Sequence, residues 1–584
     1  MSVAAPAALS RPERMSLLDR LRSHGIFTIL VLVLAFVLCA LIVYPLAVMV
    51  LRVFRPEGVV SVDAFRRVFE DPELPYVVRD TLVVLGVSGV GALIVGGLFA
   101  WCNERTDARL GWVSRVLPLT PMLLPPIALS VGWIFLADKR VGYLNVALRK
   151  VLGAVGVEMT EGPINIGTWW GMVFIYTLWL VPFVYLVLSA ALRNIDPSLE
   201  EASRVSGAGP LRTALRVSLP AIKPAIASAI LLMVVSGVAV FSIGRTIGAS
   251  ANITVMSVYI VRLVQSFPSQ LDEAVVLGLL VLIVVGAAWL LQRRISKASH
   301  HAVIGGRGMA DSVVRLGPWR WVVRVVMVAY LAATSVLPIV GLVLVAMQPF
   351  WTPDIDWGGL SFANFEELLR EGSFARSALR TSVLLGITGA TVGMVVAALL
   401  TVYCRQQGGR QAQLIDGVTK APGALSHVVV GVAFIVALAG PPFRLHGTVL
   451  ILFLAYLVIY MPQASIAAGS AGDQIGGELL EASAISGARR GRTFARIALP
   501  LMLPGLAAGW ALLFVVMAGD LTASALLAGA NNPVVGFVFL DIYENGTFSM
   551  VAAMGSIMGL VSAVVVGFVL TVVRPKFGAV GGAG

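Results

Sequence analysis

Residues Glu201 to Pro220 read EASRVSGAGPLRTALRVSLP, and Glu481 to Pro500 read EASAISGARRGRTFARIALP, 280 positions later and without a gap. Glu, Ala, Ser, Gly, Arg, Thr, Leu and Pro recur in register. The set combines carboxylate, hydroxyl and guanidinium groups with a glycine that can end a helix and a proline that can turn the chain. Such groups recognise a partner by hydrogen bonds and ion pairs. Bond-making chemistry does not follow from them, because no paired carboxylates and no nucleophile–base constellation stand out in the chain. No G-x-x-x-x-G-K-[ST] occurs either, so ATP has no P-loop here.

A second group of candidates lies within apolar runs. A charge there costs about 2.5–3.5 kcal/mol on insertion scales, so an intramembrane Asp or Arg is a functional hypothesis by default. Asp520 follows Pro504 by 16 residues, about 24 Å on a continuous helix. Arg245 lies five residues past the position equivalent to Asp520. The two are expected to face a central path, with an ion pair between them as the sharp form of that expectation. His427 could touch cargo there or be a packing histidine. Cys39, Cys102 and Cys404 have no metal spacing, and His300 and His301 read as a solvated pair with no third ligand nearby. The sequence thus offers no metal site.

These residues are carried by apolar elements. Of 584 residues, 58% are hydrophobic and 13% charged, against roughly 25% charged in a soluble chain. The apolar runs are about 20 residues long and lack the period-2 alternation of barrel strands. The reading is an all-α polytopic membrane protein with about 12 spans: 27–51, 81–101, 116–136, 168–191, 224–245, 274–292, 321–348, 381–403, 421–440, 447–469, 504–527 and 550–573. The first run is too long for a signal-peptide core and reads as a retained span. Residues 1–292 then form a first six-helix repeat, 293–320 a basic cytoplasmic linker and 321–584 a second repeat. An even number of spans makes the repeats parallel. With both termini cytoplasmic, the Lys and Arg surplus falls inside. The net charge of +12 is then accounted for without nucleic acid. Pro121, Pro125, Pro126 and Pro422 should interrupt spans near the path, and Trp169 and Trp170 read as interfacial anchors.

The repeated loop has a legible local plan. Asp196 can cap a helix, with Pro197 at its first position and Glu200 and Glu201 near its positive end. Gly207 and Gly487 end that helix, a basic stretch follows, and Leu219-Pro220 and Leu499-Pro500 turn the chain back. The result should be a rigid L-shaped projection.

Glu201, Ala202, Ser203, Gly207, Val217, Leu219 and Pro220 match the EAA loop of ABC importer permeases, as do Glu481, Ala482, Ser483, Gly487, Ile497, Leu499 and Pro500. Two copies in one chain resemble the fused permeases of ferric-iron, thiamine and aminoethylphosphonate uptake. The resemblance implies a type I importer fold. It also implies a bacterial inner-membrane location, coupling loops seated on two ATPase subunits forming a homodimer, and a separate extracytoplasmic solute-binding protein. No cofactor or enzymatic activity of the chain's own is implied. Asp520, Leu521, Ala523 and Ser524 resemble a segment of iron-type permeases, with Asp where Glu is commoner, which adds Ser524 to the path candidates. Ferric ion is the first expectation for cargo. Thiamine, aminoethylphosphonate and polyamine permeases are rivals within the class, and an ion-driven secondary transporter or an intramembrane enzyme are rivals outside it.

Overall fold

The computed structural model describes residues 26–55, 61–110, 117–298, 314–473 and 490–569, with 475, 479, 482, 483, 485, 486, 488 and 571. Glu481, Gly487, His300 and His301 lie outside the described residues. The described chain is helical, with two isolated bridges and no strand. The first repeat contains α1 (Ile26–Phe54), α2 (Leu74–Arg105), α3 (Pro126–Ala137), α4 (Trp169–Arg193), α5 (Pro197–Val205), α6 (Lys223–Ala239), α7 (Ser242–Ala251), α8 (Met256–Gln265) and α9 (Leu271–Ala298). The second contains α10 (Trp319–Ala346), α11 (Phe374–Gln407), α12 (His427–Ala439), α13 (Val449–Gly472), α14 (Leu499–Ala518), α15 (Thr522–Leu527), α16 (Val535–Glu544) and α17 (Phe548–Phe568).

Nine of the described helices are long and apolar enough to cross a membrane, and three bent pairs bring the total to as many as 12. The membership differs from the sequence expectation. The expected third span is a short 3-10 turn, Leu117–Leu123, followed by the 12-residue α3, because Pro121, Pro125 and Pro126 remove amide donors and crowd the preceding turn. The expected fifth span ends at Ala239, not 245. Beyond it α7 and α8 form a pair bent by 93°. The expected eleventh span is likewise cut, with α14 ending at Ala518.

The repeats interlock. α1 packs on the second repeat, with Phe27 against Phe494 at 5.7 Å between rings and Tyr44 against Phe443 at 5.9 Å. Reciprocally, α10 packs on α3 of the first repeat. Trp133 Nε1 donates to Ala333 O at 2.8 Å, and Thr120 and Thr334 share a hydrogen bond at 3.2 Å. Small residues permit the crossing. A Cβ on Gly132 would lie 2.7 Å from Pro338 O, and one on Gly341 3.0 Å from Gly132 O. With no water-driven burial between helices in lipid, such close backbone approach is a main source of association.

Local details repeat with the sequence. Thr168 Oγ1 caps α4 by accepting from Gly171 N, and Thr448 Oγ1 caps α13 by accepting from Ile451 N, both at 3.3 Å. Thr81 Oγ1 accepts from Met256 N and Ser382 Oγ from Val535 N, both at 2.8 Å. These bonds satisfy helix-start amides that have no partner within their own helix.

Gly132→Val should destabilise the interlocked pair by about 1–3 kcal/mol, since backbone rather than a flexible side chain opposes the new methyls. Thermal unfolding of the detergent-solubilised chain checks this, with Gly286→Val, where nothing lies within 4 Å, as the neutral control.

Candidate functional site

The first repeated loop folds as its sequence suggests. The Asp196 side chain accepts from Ser198 N at 3.0 Å and caps α5. The Ser198 amide and hydroxyl hold its carboxyl below the usual carboxylate range. α5 ends at Val205, and Gly207 takes φ +83°, in the left-handed region that favours glycine. The returning segment Pro210–Ala221 contains a π turn at Ala214–Ser218 and meets α6 at 73°. The second loop repeats the π turn at Phe494–Ala498, but there Arg490 to Ala518 continues as one span and not as a sharply bent pair. The bend into the following span is thus seen in the first copy; the glycine corner of the second copy, Gly487, lies outside the described residues. A hydroxyl pair staples each copy: Ser203 to Thr213 at 3.0 Å and Ser483 to Thr493 at 2.8 Å.

Burial divides these loops into an anchored side and a free side. Glu201 and Ala202 are exposed, as are Ala482, Pro220 and Pro500. Leu219 is exposed and Leu499 half-buried. Val205 and Ile485, at equivalent tips, are 90% and 88% exposed. Glu200, whose role the sequence reading left to the helix dipole, is buried. It accepts from Ser218 Oγ at 2.6 Å and pairs with Arg105 Nε at 3.3 Å. Arg105 also donates to Leu192 O at 2.8 Å and Ile195 O at 3.2 Å. The second repeat has Arg405 on Gly472 O at 2.8 Å and on the exposed Asp473. Glu200 has Leu480 as its counterpart. The recurrence of Arg at the end of the second span of each repeat was the signal that would have found this anchor.

Between the repeats lies a cavity of 140 Å³. Its walls come from the interruptions in four helices (Pro125 and Pro126, Ala239, Val240 and Ser242, His427, and Gly519 to Thr522) and from Trp179 and Phe183 of α4 and Tyr460 and Gln463 of α13. Asp520 sits in the break between α14 and α15, not within a continuous helix. Its Oδ1 accepts from Ala523 N at 2.9 Å and Ser524 N at 3.2 Å, which caps α15. Its Oδ2 accepts from Tyr460 Oη at 2.8 Å and lies 3.8 Å from His427 Nδ1. All the ionisable lining groups come from the second repeat. At the matching positions the first repeat has Val240 for Asp520, Leu180 for Tyr460, Phe183 for Gln463 and Pro126 for His427.

Two path expectations need correction. Arg245 does not meet Asp520. The break at Val240–Phe241 redirects the chain, and Arg245 Nε donates instead to Glu544 Oε1 at 2.8 Å, at the half-exposed rim. Ser524 does not line the cavity. It is fully buried, donates to Asp520 O at 2.6 Å and shares a bond with Tyr456 Oη at 2.7 Å. The Arg245–Glu544 pair spans the two repeats, and so does its counterpart, Gln265 Nε2 donating to Ala525 O at 3.1 Å. Thr522 Oγ1 to Ala239 O, at 3.3 Å, is a third tie beside the cavity. These ties are made by α7, α8, α15 and α16, the short helices that follow α6 and α14 on the side away from the repeated loops, and by the last residue of α6.

Comparison with known proteins gives two matches to one family, the binding-protein-dependent transport system inner membrane component, over residues 92–297 and 389–578. A ferric transport system permease protein of Actinobacillus pleuropneumoniae is 22% identical over 90% of this chain and 75% of its own length. A putative ferric transport system permease protein of Haemophilus influenzae is 23% identical over 85% of this chain and 77% of its own. A spermidine/putrescine transport system permease protein of Salmonella typhimurium is 25% identical over 41% of this chain and 84% of its own.

Arg105→Ala should leave Glu200 buried without its cation and cost about 3–5 kcal/mol. Arg405→Ala should cost less, because Asp473 is 76% exposed and returns to solvent. Unfolding midpoints of the two variants in detergent give the comparison.

Proposed function

The chain belongs to the family of binding-protein-dependent transport system inner membrane components, as the permease subunit of an ABC importer, and we propose that its cargo is ferric iron. The observation that carries the cargo is the cavity where the two repeats meet. It presents a carboxylate, a phenol, an imidazole and a carboxamide on one wall. Oxygen-rich donor sets suit hard cations. Two relatives named for ferric transport cover most of their own length with this chain, which supports the same reading.

ATP is hydrolysed on separate subunits, one seated on each repeated loop, and a separate extracytoplasmic protein delivers the cargo. Glu201 and Ala202 with Val205, and Ala482 with Ile485, form the docking surfaces; Gly207 sets the corner of the first loop. Glu481 and Gly487 take the same roles by their place in the repeated sequence. Leu219-Pro220 and Leu499-Pro500 pass the motion to α6 and α14. The loops and both termini face the cytoplasm. When ATP draws the ATPase subunits together, the interlocked bundles turn as rigid bodies about the cavity. Asp520 and His427 line the path. Arg245–Glu544 and Gln265–Ala525 close it on the side away from the loops.

Proteoliposomes holding the permease, its ATPase and its binding protein should take up ferric iron only with hydrolysable ATP. Uptake of another solute in preference to iron would overturn the cargo reading. Val205→Asp and Ile485→Asp should each cut ATP-driven uptake at least about tenfold, a loss of about 1.4 kcal/mol or more of docking free energy. Co-purification of the ATPase gives a direct readout of the same step. A bifunctional thiol crosslink in Arg245→Cys/Glu544→Cys should stop uptake, and reductive cleavage of that crosslink should restore it. Uptake that continues with the crosslink in place would remove this tie from the gate.

A further inference from the structure

We propose that a groove between α11, α14 and α17 binds one phospholipid from the leaflet beside the repeated loops, its acyl chain along α14 and its anionic headgroup at Arg490. The site is separate from the central cavity and independent of the cargo.

Four observations carry it. First, the groove fits hydrocarbon and nothing polar. It has a volume of 630 Å³, and its walls include Met394, Val395 and Ala398 of α11, Leu503 of α14 and Val565 of α17. Its two polar groups are already engaged. Trp510 Nε1 donates to Thr391 Oγ1 at 3.0 Å, and that hydroxyl donates to Ile387 O at 2.6 Å. A ligand here gains contacts but no hydrogen bonds, and an empty groove forfeits those contacts.

Second, the first repeat closes the same place with a polar tie. There α6 packs on α9, and Gln292 Nε2 donates to Ser228 Oγ at 2.8 Å. The second repeat has Ala508 for Ser228 and, counting from the matching glycines Gly278 and Gly555, Val569 for Gln292. Val569 lines the groove. On the facing helix Ala398 stands where the first repeat has the larger Leu98. The second arm thus lacks the tie of the first, and an acyl chain between α14 and α17 takes its place.

Third, the length is that of one leaflet. Along α14 the lining runs from Leu499 to Trp510, about 16 Å on a helix. Half of a hydrocarbon core of about 30 Å is about 15 Å. One acyl chain that starts at the loop face therefore ends where the groove does.

Fourth, the loop end of the groove carries a cation short of a partner. Phe494 lines that end, and Arg490 lies one turn before it. The Arg490 guanidinium stands 5.9 Å above the Tyr403 ring, and its Nη1 is buried without a hydrogen-bond partner. Buried polar atoms are nearly always satisfied, so this one points to a missing acceptor. A phosphate oxygen is the acceptor a guanidinium suits best. Arg492 and Arg496, exposed on the same segment, add the positive field that draws anionic lipid to a membrane surface.

The purified full-length chain, delipidated in detergent, is titrated with phosphatidylglycerol and separately with phosphatidylcholine of the same acyl chains. Native mass spectrometry counts the lipids bound. A first saturable step of one phosphatidylglycerol per chain is expected, with phosphatidylcholine weaker by at least about fivefold. Ala507→Phe, which fills the half-buried floor of the groove, should weaken that step by at least about tenfold. Arg490→Ala should remove most of the preference between the two lipids. Ala227→Phe, at the equivalent place in the first repeat, should keep the step. Absence of a saturable step in the wild-type chain, or one that survives Ala507→Phe, overturns the site. Equal affinity of the wild-type chain for both lipids overturns the headgroup assignment. A doubled mass without lipid would seat a second copy of the chain in the groove and overturn the lipid. Unfolding midpoints confirm that each variant is folded, and the wild-type result stands whether or not they are.

Discussion

A backbone amide or carbonyl in an apolar layer must find a partner within the protein, and this requirement organises the whole molecule. Most of the chain meets it by staying helical. It departs from the helix at Leu124–Pro125, Val240–Phe241, Leu425–Ser426 and Gly519–Leu521, and these breaks gather around one cavity between the repeats. Substitutes are supplied nearby. Asp520 takes the first amides of α15, while Thr81 and Ser382 take those of α8 and α16. The cavity lies where regular hydrogen bonding is given up, and Asp520, which takes the amides at one of the breaks, also lines it.

The same frame explains how motion at one face can reach the cavity. α1 and α10 each lie against the opposite repeat, so neither bundle can turn without carrying part of the other. α6 and α14 run from the repeated loops directly to the breaks at Val240 and Gly519. The loops are stapled by their own hydroxyl pairs and present apolar tips outward. The two arms are not identical. The first meets its span at 73° and is held by the buried Arg105–Glu200 pair, whereas the second continues into its span from Arg490 and has Leu480 at the sequence position of Glu200. The cavity shows the same inequality, with its ionisable groups on one wall.

Much of this was legible in the sequence because it rests on local pattern. Apolar runs fix most of the spans, the gapless repeat fixes the loops, and Asp196-Pro197 with Gly207 fixes the first loop's corner. What was not legible depends on the chain leaving its helical path. Counting residues from Pro504 placed Asp520 on a continuous helix, but Gly519 ends that helix, and an acidic cap suits the start of the next. Arg245 was expected opposite Asp520 by register. The break before Ser242 sends it to Glu544, which lies 299 residues away and carries no marker in the pattern. The interlocked first spans are equally silent, since Gly132 and Gly341 look like ordinary membrane glycines until Pro338 is seen against them.

The central claim is that the two loops are arms of one lever, and the distance between them tests it most directly. Spin labels on Arg212→Cys and Arg492→Cys, equivalent exposed positions just behind the tips, in a background without Cys39, Cys102 and Cys404, report that distance in the assembled importer. The account predicts that it shortens when ATP binds and recovers after hydrolysis. An unchanged distance across a cycle that still moves cargo would contradict it.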